Sequence, residues 1–332
     1  MARKWWTLLV VCVATFMLLL DITIVNVALP KIAGDLHASF SDIQWVIDAY
    51  ALTLAALLLT AGSLADLIGR KLVFTIGLGL FSLTSLLCAV SPSPLFLILA
   101  RGGQGIGGAI MFATSLALLA QEFEGRERGT ALGIWGATIA ASAAVGPLLG
   151  GALTDWLGWS SIFYINVPVG LIGMVLAVAR VAESRDPEQS RLDWIGTITF
   201  TAALFALVLG LIRGNANGWG SALIVGLFSG SVVLLALFLV SQHVQEESMF
   251  DLSLFAKPTF SGAAIVAFSV STAMFSMFLY LVLYIQTQLG FSPLQSGYRF
   301  LPFTVIAFFV AAATGNLSAR IPVRVLLSGG LV

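Results

Sequence analysis

Residues Gly62–Leu78 read GSLADLIGRKLVFTIGL: three charged side chains, Asp66, Arg70 and Lys71, interrupt two long apolar runs. A second stretch, Gly315–Leu331, reads GNLSARIPVRVLLSGGL and aligns with the first without a gap. The two share Gly62/Gly315, Leu64/Leu317, Ile68/Ile321, Gly77/Gly330 and Leu78/Leu331, with a base at Lys71/Arg324. A loop that recurs in an apolar chain points to a duplicated unit, and the apolar runs on either side define that unit.

Segments apolar and long enough to cross a bilayer recur at 5–29, 45–65, 72–91, 94–120, 130–153, 160–180, 194–212, 221–241, 260–288 and 298–319, and Val325–Val332 opens a further one. The first copy of the loop follows the second span and the second copy follows the tenth. A six-helix unit used twice, with a two-helix insert between the copies, predicts that placement, and internal repeats are the usual build of secondary transporters. On this count four helices of the second unit are absent or nearly so, which reads as a fragment or a truncated product.

Composition agrees. Of 332 residues, 59% are hydrophobic and 10% charged, with a mean hydropathy of +1.01; soluble domains carry about 25% charge. The expected class is therefore all-α, a polytopic helical membrane protein. The polar linker Glu183–Asp193 (ESRDPEQSRLD) separates the first six spans from the rest. The expected domains are an N-terminal six-helix bundle over 1–182, a linker with two inserted helices over 183–242, and the start of an incomplete second bundle over 243–332. The insert carries no ionisable residue between Trp194 and Ser241 except Arg213, assigned to its connecting turn, and reads as lipid-facing.

Charge sets the orientation. Arg3, Lys4, Arg70, Lys71, Arg126, Arg128, Arg180, Arg185, Arg191, Lys257, Arg320 and Arg324 fall on one side of the alternating spans. Lys31, Arg213 and Arg299 fall on the other, and Arg101 lies within a span. By the positive-inside rule the N-terminus is cytoplasmic. A formal net charge of zero argues against a nucleic-acid partner. Cys12 and Cys88 both lie in apolar runs and suggest neither a disulfide framework nor a metal site.

Charges inside spans carry the functional reading. In LLLDITIVNVALP (Leu18–Pro30), Asp21 stands alone among apolar residues. A carboxylate at that depth costs about 2.5–3.5 kcal/mol on insertion scales, so it has to be paired, face a water-filled cavity, or exchange a proton. In RGGQGIGGA (Arg101–Ala109) the glycines Gly103, Gly105 and Gly108 match a dinucleotide-loop spacing. That motif needs a strand before it, whereas here it lies within a span. On a helix, Arg101, Gln104, Gly105 and Gly108 share a face, and an intramembrane Arg is expected to turn inward to a carboxylate or backbone carbonyls. A purely structural ion pair is the plainer account. Asp48, in IQWVIDAY, sits just inside the second span and reads equally well as interfacial or buried. Asp66, near a helix C-terminus, opposes the helix dipole and is expected to have a partner such as Arg70. In the fifth span Ser142, Gly146 and Gly150 recur every four residues with Pro147 between them, a spacing that lets helices approach closely around a proline bend. Phe and Met side chains in Phe268–Tyr280 suit a substrate cavity, a lipid face or a core equally.

These motifs together carry a resemblance. Gly62, Asp66, Gly69, Arg70 and Lys71 stand in an arrangement that resembles the cytoplasmic-loop signature of the major facilitator superfamily. LLLDITIVNVALP resembles the first-helix motif of its fourteen-helix drug/proton antiporters (QacA/EmrB-like). GPLLGG, with Gly146, Pro147, Gly150 and Gly151, resembles the antiporter signature of helix five, and INVPVG (Ile165–Gly170) fits helix six. Two positions depart: Ser142 stands where the antiporter motif usually starts with Gly, and Ala319 replaces the acid of the second loop. The resemblance implies proton-coupled efflux of hydrophobic or cationic drugs across the cytoplasmic membrane. Asp21 would be the proton or substrate acid, Asp48 secondary, and Arg101 the counter-charge. It implies no metal and no cofactor, the proton gradient being the drive. The partners it implies are a small hydrophobic or cationic substrate, protons and the bilayer, with a periplasmic adaptor not determinable from the sequence.

The alternatives are a narrow-specificity metabolite or antibiotic exporter and a non-transporting fragment. A membrane enzyme would need clustered acids at a membrane face; the nearest cluster, EFEGRER, is interleaved with arginines.

Overall fold

The computed structural model describes residues 2–185, 193–245 and 250–291, with scattered positions from 295 to 330. The tenth span and the second loop copy are described only at those scattered positions, and residues 186–192 lie outside the described residues. The described secondary structure is helical: α1 (Arg3–Asp35), α2 (Phe40–Ile68), α3 (Arg70–Ala89), α4 (Pro94–Glu122), α5 (Gly125–Leu157), α6 (Ser161–Tyr164), α7 (Asn166–Arg180), α8 (Trp194–Asn217), α9 (Ala222–Val244) and α10 (Pro258–Leu283). Seven of these segments, α6 and α7 counting as one, are long and apolar enough to cross a membrane, or eight if the two halves of α5 form one span. The start of α10, Pro258–Ala273, is a shorter apolar helix.

Local chemistry places most ends. Ser39 and Asp42 form a reciprocal capping box on α2, with Asp42 N–H donating to Ser39 Oγ at 3.2 Å and Ser39 N–H to Asp42 Oδ2 at 2.9 Å. Ser93 caps α4, and Pro94 opens it at a position where no N–H is needed. Gly69, at φ 128°, makes the break between α2 and α3, a conformation that costs a residue with a Cβ. The sixth span is interrupted at Ile165, and Pro168, which cannot donate to the Tyr164 carbonyl, falls in the first turn of α7. The halves of α5, Glu127–Ala143 and Val145–Leu157, meet at 42°, where Pro147 removes the bond to the Ala143 carbonyl.

The chain divides into two compact units, Met1–Glu188 with Arg299–Val332, and Gln189–Tyr298. In the second unit, α8 and α9 form a hairpin. Ser231 Oγ donates to the Ala203 carbonyl at 2.8 Å, and Trp219 stacks on Phe228. Asp193 caps α8, accepting from Gly196 N–H at 2.7 Å. Arg213 lies within α8 rather than in the connecting turn, because the helix runs on to Asn217 before Gly218 ends it at φ 82°. On α10, Phe268, Met277 and Tyr280 are exposed; the side chains of Met274, Phe275 and Phe278 lie outside the described residues.

The first unit holds the core, and the core comes in two layers. One gathers Val11 and Leu18 of α1, Phe74 and Phe81 of α3, and Met111 and Leu119 of α4. The other gathers Ile24 and Ile32 of α1, Val46 of α2, Cys88 of α3, Leu97 of α4 and Phe163 of α6. Along α1, α3 and α4 the two layers are separated at Asp21, Ser85 and Arg101–Gln104, a polar level inside the bundle.

Candidate functional site

Asp21 and Arg101 are each 1% exposed. An isolated charge at such a site is prohibitive, and even a pair is tolerated only when its remaining lone pairs and N–H groups are also met. Here both Asp21 oxygens and the Arg101 Nε and Nη1 groups are met, by partners on α2, α4 and α7 that Ser85 of α3 in turn holds. Arg101 Nη1 bonds to Asp21 Oδ2 and also donates to Gln104 Oε1 at 2.7 Å. Arg101 Nε donates to the Val46 carbonyl of α2 at 3.1 Å. Asp21 Oδ1 accepts from Gln104 Nε2 at 2.9 Å and from Asn166 Nδ2 of α7 at 3.2 Å. Ser85 of α3 accepts from Gln104 (3.2 Å) and Asn166 (3.0 Å) and donates to the Phe163 carbonyl at 3.0 Å. The guanidinium lies over the Tyr50 ring, 4.3 Å from its centroid, a cation–π contact strengthened by desolvation.

Glycines permit this closeness. A Cβ on Gly107 would lie 2.7 Å from the Phe81 backbone nitrogen, and one on Gly105 would collide with Thr53 and the Tyr50 carbonyl. These are the contacts of α4 with α3 and α2, so the glycine-rich run is a packing face and not a nucleotide loop. In α5 a Cβ on Gly146 would collide with Thr23, and one on Gly150 would lie 3.0 Å from the Ile24 carbonyl. That motif seats α5 on the turn of α1 that follows Asp21. Gly151 and Pro147 are buried beside it.

A second polar cluster surrounds the α2–α3 turn. Asp66 accepts from Arg70 Nε at 2.7 Å, and Arg70 Nη1 donates to Gln121 of α4 at 3.2 Å. Glu183, just past α7, accepts from the backbone N–H groups of Lys71 (3.0 Å) and Leu72 (3.1 Å), capping α3 from across the chain. Arg70 N–H donates to the Ser184 carbonyl at 2.7 Å, and Lys71 Nζ to the Val178 carbonyl at 2.8 Å. Gly62 lies within α2 against Ala113. Arg3–Glu122 and Lys4–Glu127 ion pairs join the same end of the unit, while Lys31 bonds at the opposite end to the Thr154 carbonyl (3.0 Å).

Between α1, α2 and α4 lies a cavity of about 150 Å³, with Ile22, Ile47, Ala51, Leu54, Tyr50 and Arg101 in its wall. Asp48 is part-buried, and among the described residues no hydrogen bond to Asp21 or Arg101 comes from it. The structure thus joins Asp21 to Arg101 and Gln104, and separately joins Asp66, Arg70 and Lys71. Asn166, Ser85 and Glu183 were not singled out from sequence. Asn166 was visible as the one amide in the INVPVG run.

Comparison with known proteins follows the same residues. A family profile described as Major Facilitator Superfamily matches residues 11–332. The chain belongs to the major facilitator superfamily. Among curated members of comparable sequence, the multidrug resistance protein Stp of Mycobacterium tuberculosis (strain CDC 1551 / Oshkosh) is 37% identical over 326 residues, covering 98% of this chain and 61% of Stp. The tetracenomycin C resistance and export protein of Streptomyces glaucescens is 34% identical over 319 residues, covering 96% and 59%. The methylenomycin A resistance protein of Bacillus subtilis (strain 168) is 37% identical over 311 residues, covering 93% and 66%. The chain therefore spans less than two thirds of the length of these relatives. This major facilitator chain is a multi-pass membrane protein of a transporter family, not an enzyme.

Proposed function

We propose that this chain works in proton-coupled export of drug-like small molecules, hydrophobic or cationic, across the cytoplasmic membrane, with Asp21 as the proton-carrying group. The observation that carries the proposal is the buried Asp21–Arg101 pair, held by side chains from α1, α3, α4 and α7. The relatives, a multidrug resistance protein and a tetracenomycin C resistance and export protein, suggest the substrate class.

A proton arriving at Asp21 would compete with three donors for the same two oxygens. Once neutral, the carboxyl would no longer balance Arg101, whose charge would then be buried without a counter-charge. The cluster would have to open to water or repack, and because it joins α1, α2, α3, α4 and α7, either outcome shifts them relative to one another. Proton release on the other side would restore the pair. With an inside-negative potential, each charge moved inward gains about 2.3 kcal/mol per 100 mV. No cofactor enters this scheme, and no step in it needs an adaptor. The end carrying Arg3, Lys4, Arg70 and Lys71 is proposed to face the cytoplasm. Cysteines placed at Glu122–Arg128 should then resist membrane-impermeant labels in intact cells, and labelling from outside would invert the topology.

Asp21→Asn keeps the size and hydrogen bonding of the side chain but cannot ionise. In vesicles with an imposed pH gradient it should lose gradient-driven dye efflux at equal protein level, with Asp21→Glu partly active. Full pH-driven efflux by Asp21→Asn would transfer the carrier role to Asp48.

A further inference from the structure

The cavity between α1, α2 and α4 offers a substrate more than apolar wall. Arg101 forms part of its lining, and among the described residues this guanidinium spends Nε on Val46 and Nη1 on Asp21 and Gln104. Its Nη2 amino group makes no hydrogen bond among the described residues. A side chain 1% exposed thus keeps two N–H donors without an acceptor. A charged donor that faces a cavity is open to an acceptor on a bound molecule, and the bond so formed is charge-assisted.

The remaining wall fixes what carries the acceptor. Ile22, Ile47, Ala51 and Leu54 are aliphatic, and the Tyr50 ring, which stacks on Arg101, is also in the lining. A cavity of about 150 Å³ takes one benzene-sized ring. Ala51, on the wall, is exposed, which leaves room for the rest of a larger compound to continue outward. Among the described residues no carboxylate stands in the lining, and both oxygens of Asp21 are already engaged by Arg101, Gln104 and Asn166. A cation entering here would meet a guanidinium and no free anion.

We propose that this cavity is a subsite for one aromatic ring bearing an oxygen acceptor, a carbonyl or phenolate, placed on Tyr50 with its oxygen toward Arg101 Nη2. The assignment rests on the export reading above and narrows its substrates on this side of the molecule to oxygenated aromatics rather than cations.

The test uses the chain in lipid nanodiscs, with empty nanodiscs as the partition control, and three matched ring probes: acetophenone, isopropylbenzene and benzyltrimethylammonium. Acetophenone should bind about tenfold more tightly than isopropylbenzene, as one hydrogen bond to a charged donor provides, and the cation should bind most weakly. Ala51→Leu, which fills the cavity away from the ion pair, should weaken both neutral probes. Arg101→Lys keeps a charge opposite Asp21 but loses the planar fork, and should erase the difference between the two neutral probes. No binding of acetophenone up to its solubility limit would overturn the subsite. So would equal affinity of the two neutral probes for the wild-type chain, tighter binding of the cation, or unchanged binding in Ala51→Leu. Gradient-driven dye efflux without any oxygen preference would leave export standing and remove this subsite. Oxygen-selective ring binding without efflux would support the subsite and remove the export reading.

Discussion

Asp21 and Arg101 keep 0% and 2% of their side-chain exposure, whereas Asp66 and Arg70 keep 31% and 19%. Both are Asp–Arg pairs in the same helical unit, and both link different helices. The inner pair lies between two apolar layers, where every unmet charge is expensive and the attraction is little screened. The outer pair lies at helix ends, where water and ions compete with it. The inner pair is therefore a liability that its neighbours must continuously satisfy. The outer pair is an adjustable clasp whose strength comes from several weak contacts acting together.

Breaking the inner pair should have the largest effect. Arg101→Ala leaves the Asp21 carboxylate buried and uncompensated, and should destabilise the protein by about 3–5 kcal/mol. Thermal unfolding in detergent would show it, and Asp21→Asn combined with Arg101→Ala should recover much of the loss. A small single-mutant effect would mean the two pairs do not differ in kind. Glu183→Gln comes next. It weakens the remote cap on α3, where the helix dipole and two N–H groups meet a full negative charge, and should lower stability by about 1 kcal/mol. The smallest change is Asp66→Asn. Ion pairs near the surface contribute about 0.2–1 kcal/mol, and the difference from wild type should shrink as salt is raised. A salt-independent loss would move the outer pair into the class of the inner one.

Much of this was legible in the sequence. An aspartate alone in a span and an arginine on a glycine face had to find partners, and Asp66 had to find a base near a helix end. The existence of the helices followed from apolar length. Their ends did not, because helices continue past the apolar stretch wherever a cap allows: α1 runs from Arg3 to Asp35 and α2 from Phe40 to Ile68, each beyond the apolar segments at 5–29 and 45–65. The break at Ile165 follows from Pro168, a residue the motif already contained. Asn166 and Ser85 escaped notice because uncharged polar residues are common in spans, and only packing tells a pair-holder from a helix-bonded one. Glu183 escaped because it lies 112 residues from the Lys71 backbone it caps, and sequence spacing carries no trace of such a bond.

Cys88 sits at the margin of the inner cluster, fully buried, its thiol 3.6 Å from Gln104 Oε1. It is a natural clock. A small membrane-permeant alkylating reagent can reach the sulfur only during the moments when its surroundings part, so the modification rate divided by that of a free thiol gives the fraction of time spent open. Cys12, less deeply buried on α1, runs alongside as an internal standard. Read at two pH values, the pair of rates would convert proton occupancy into an opening frequency without a single engineered label.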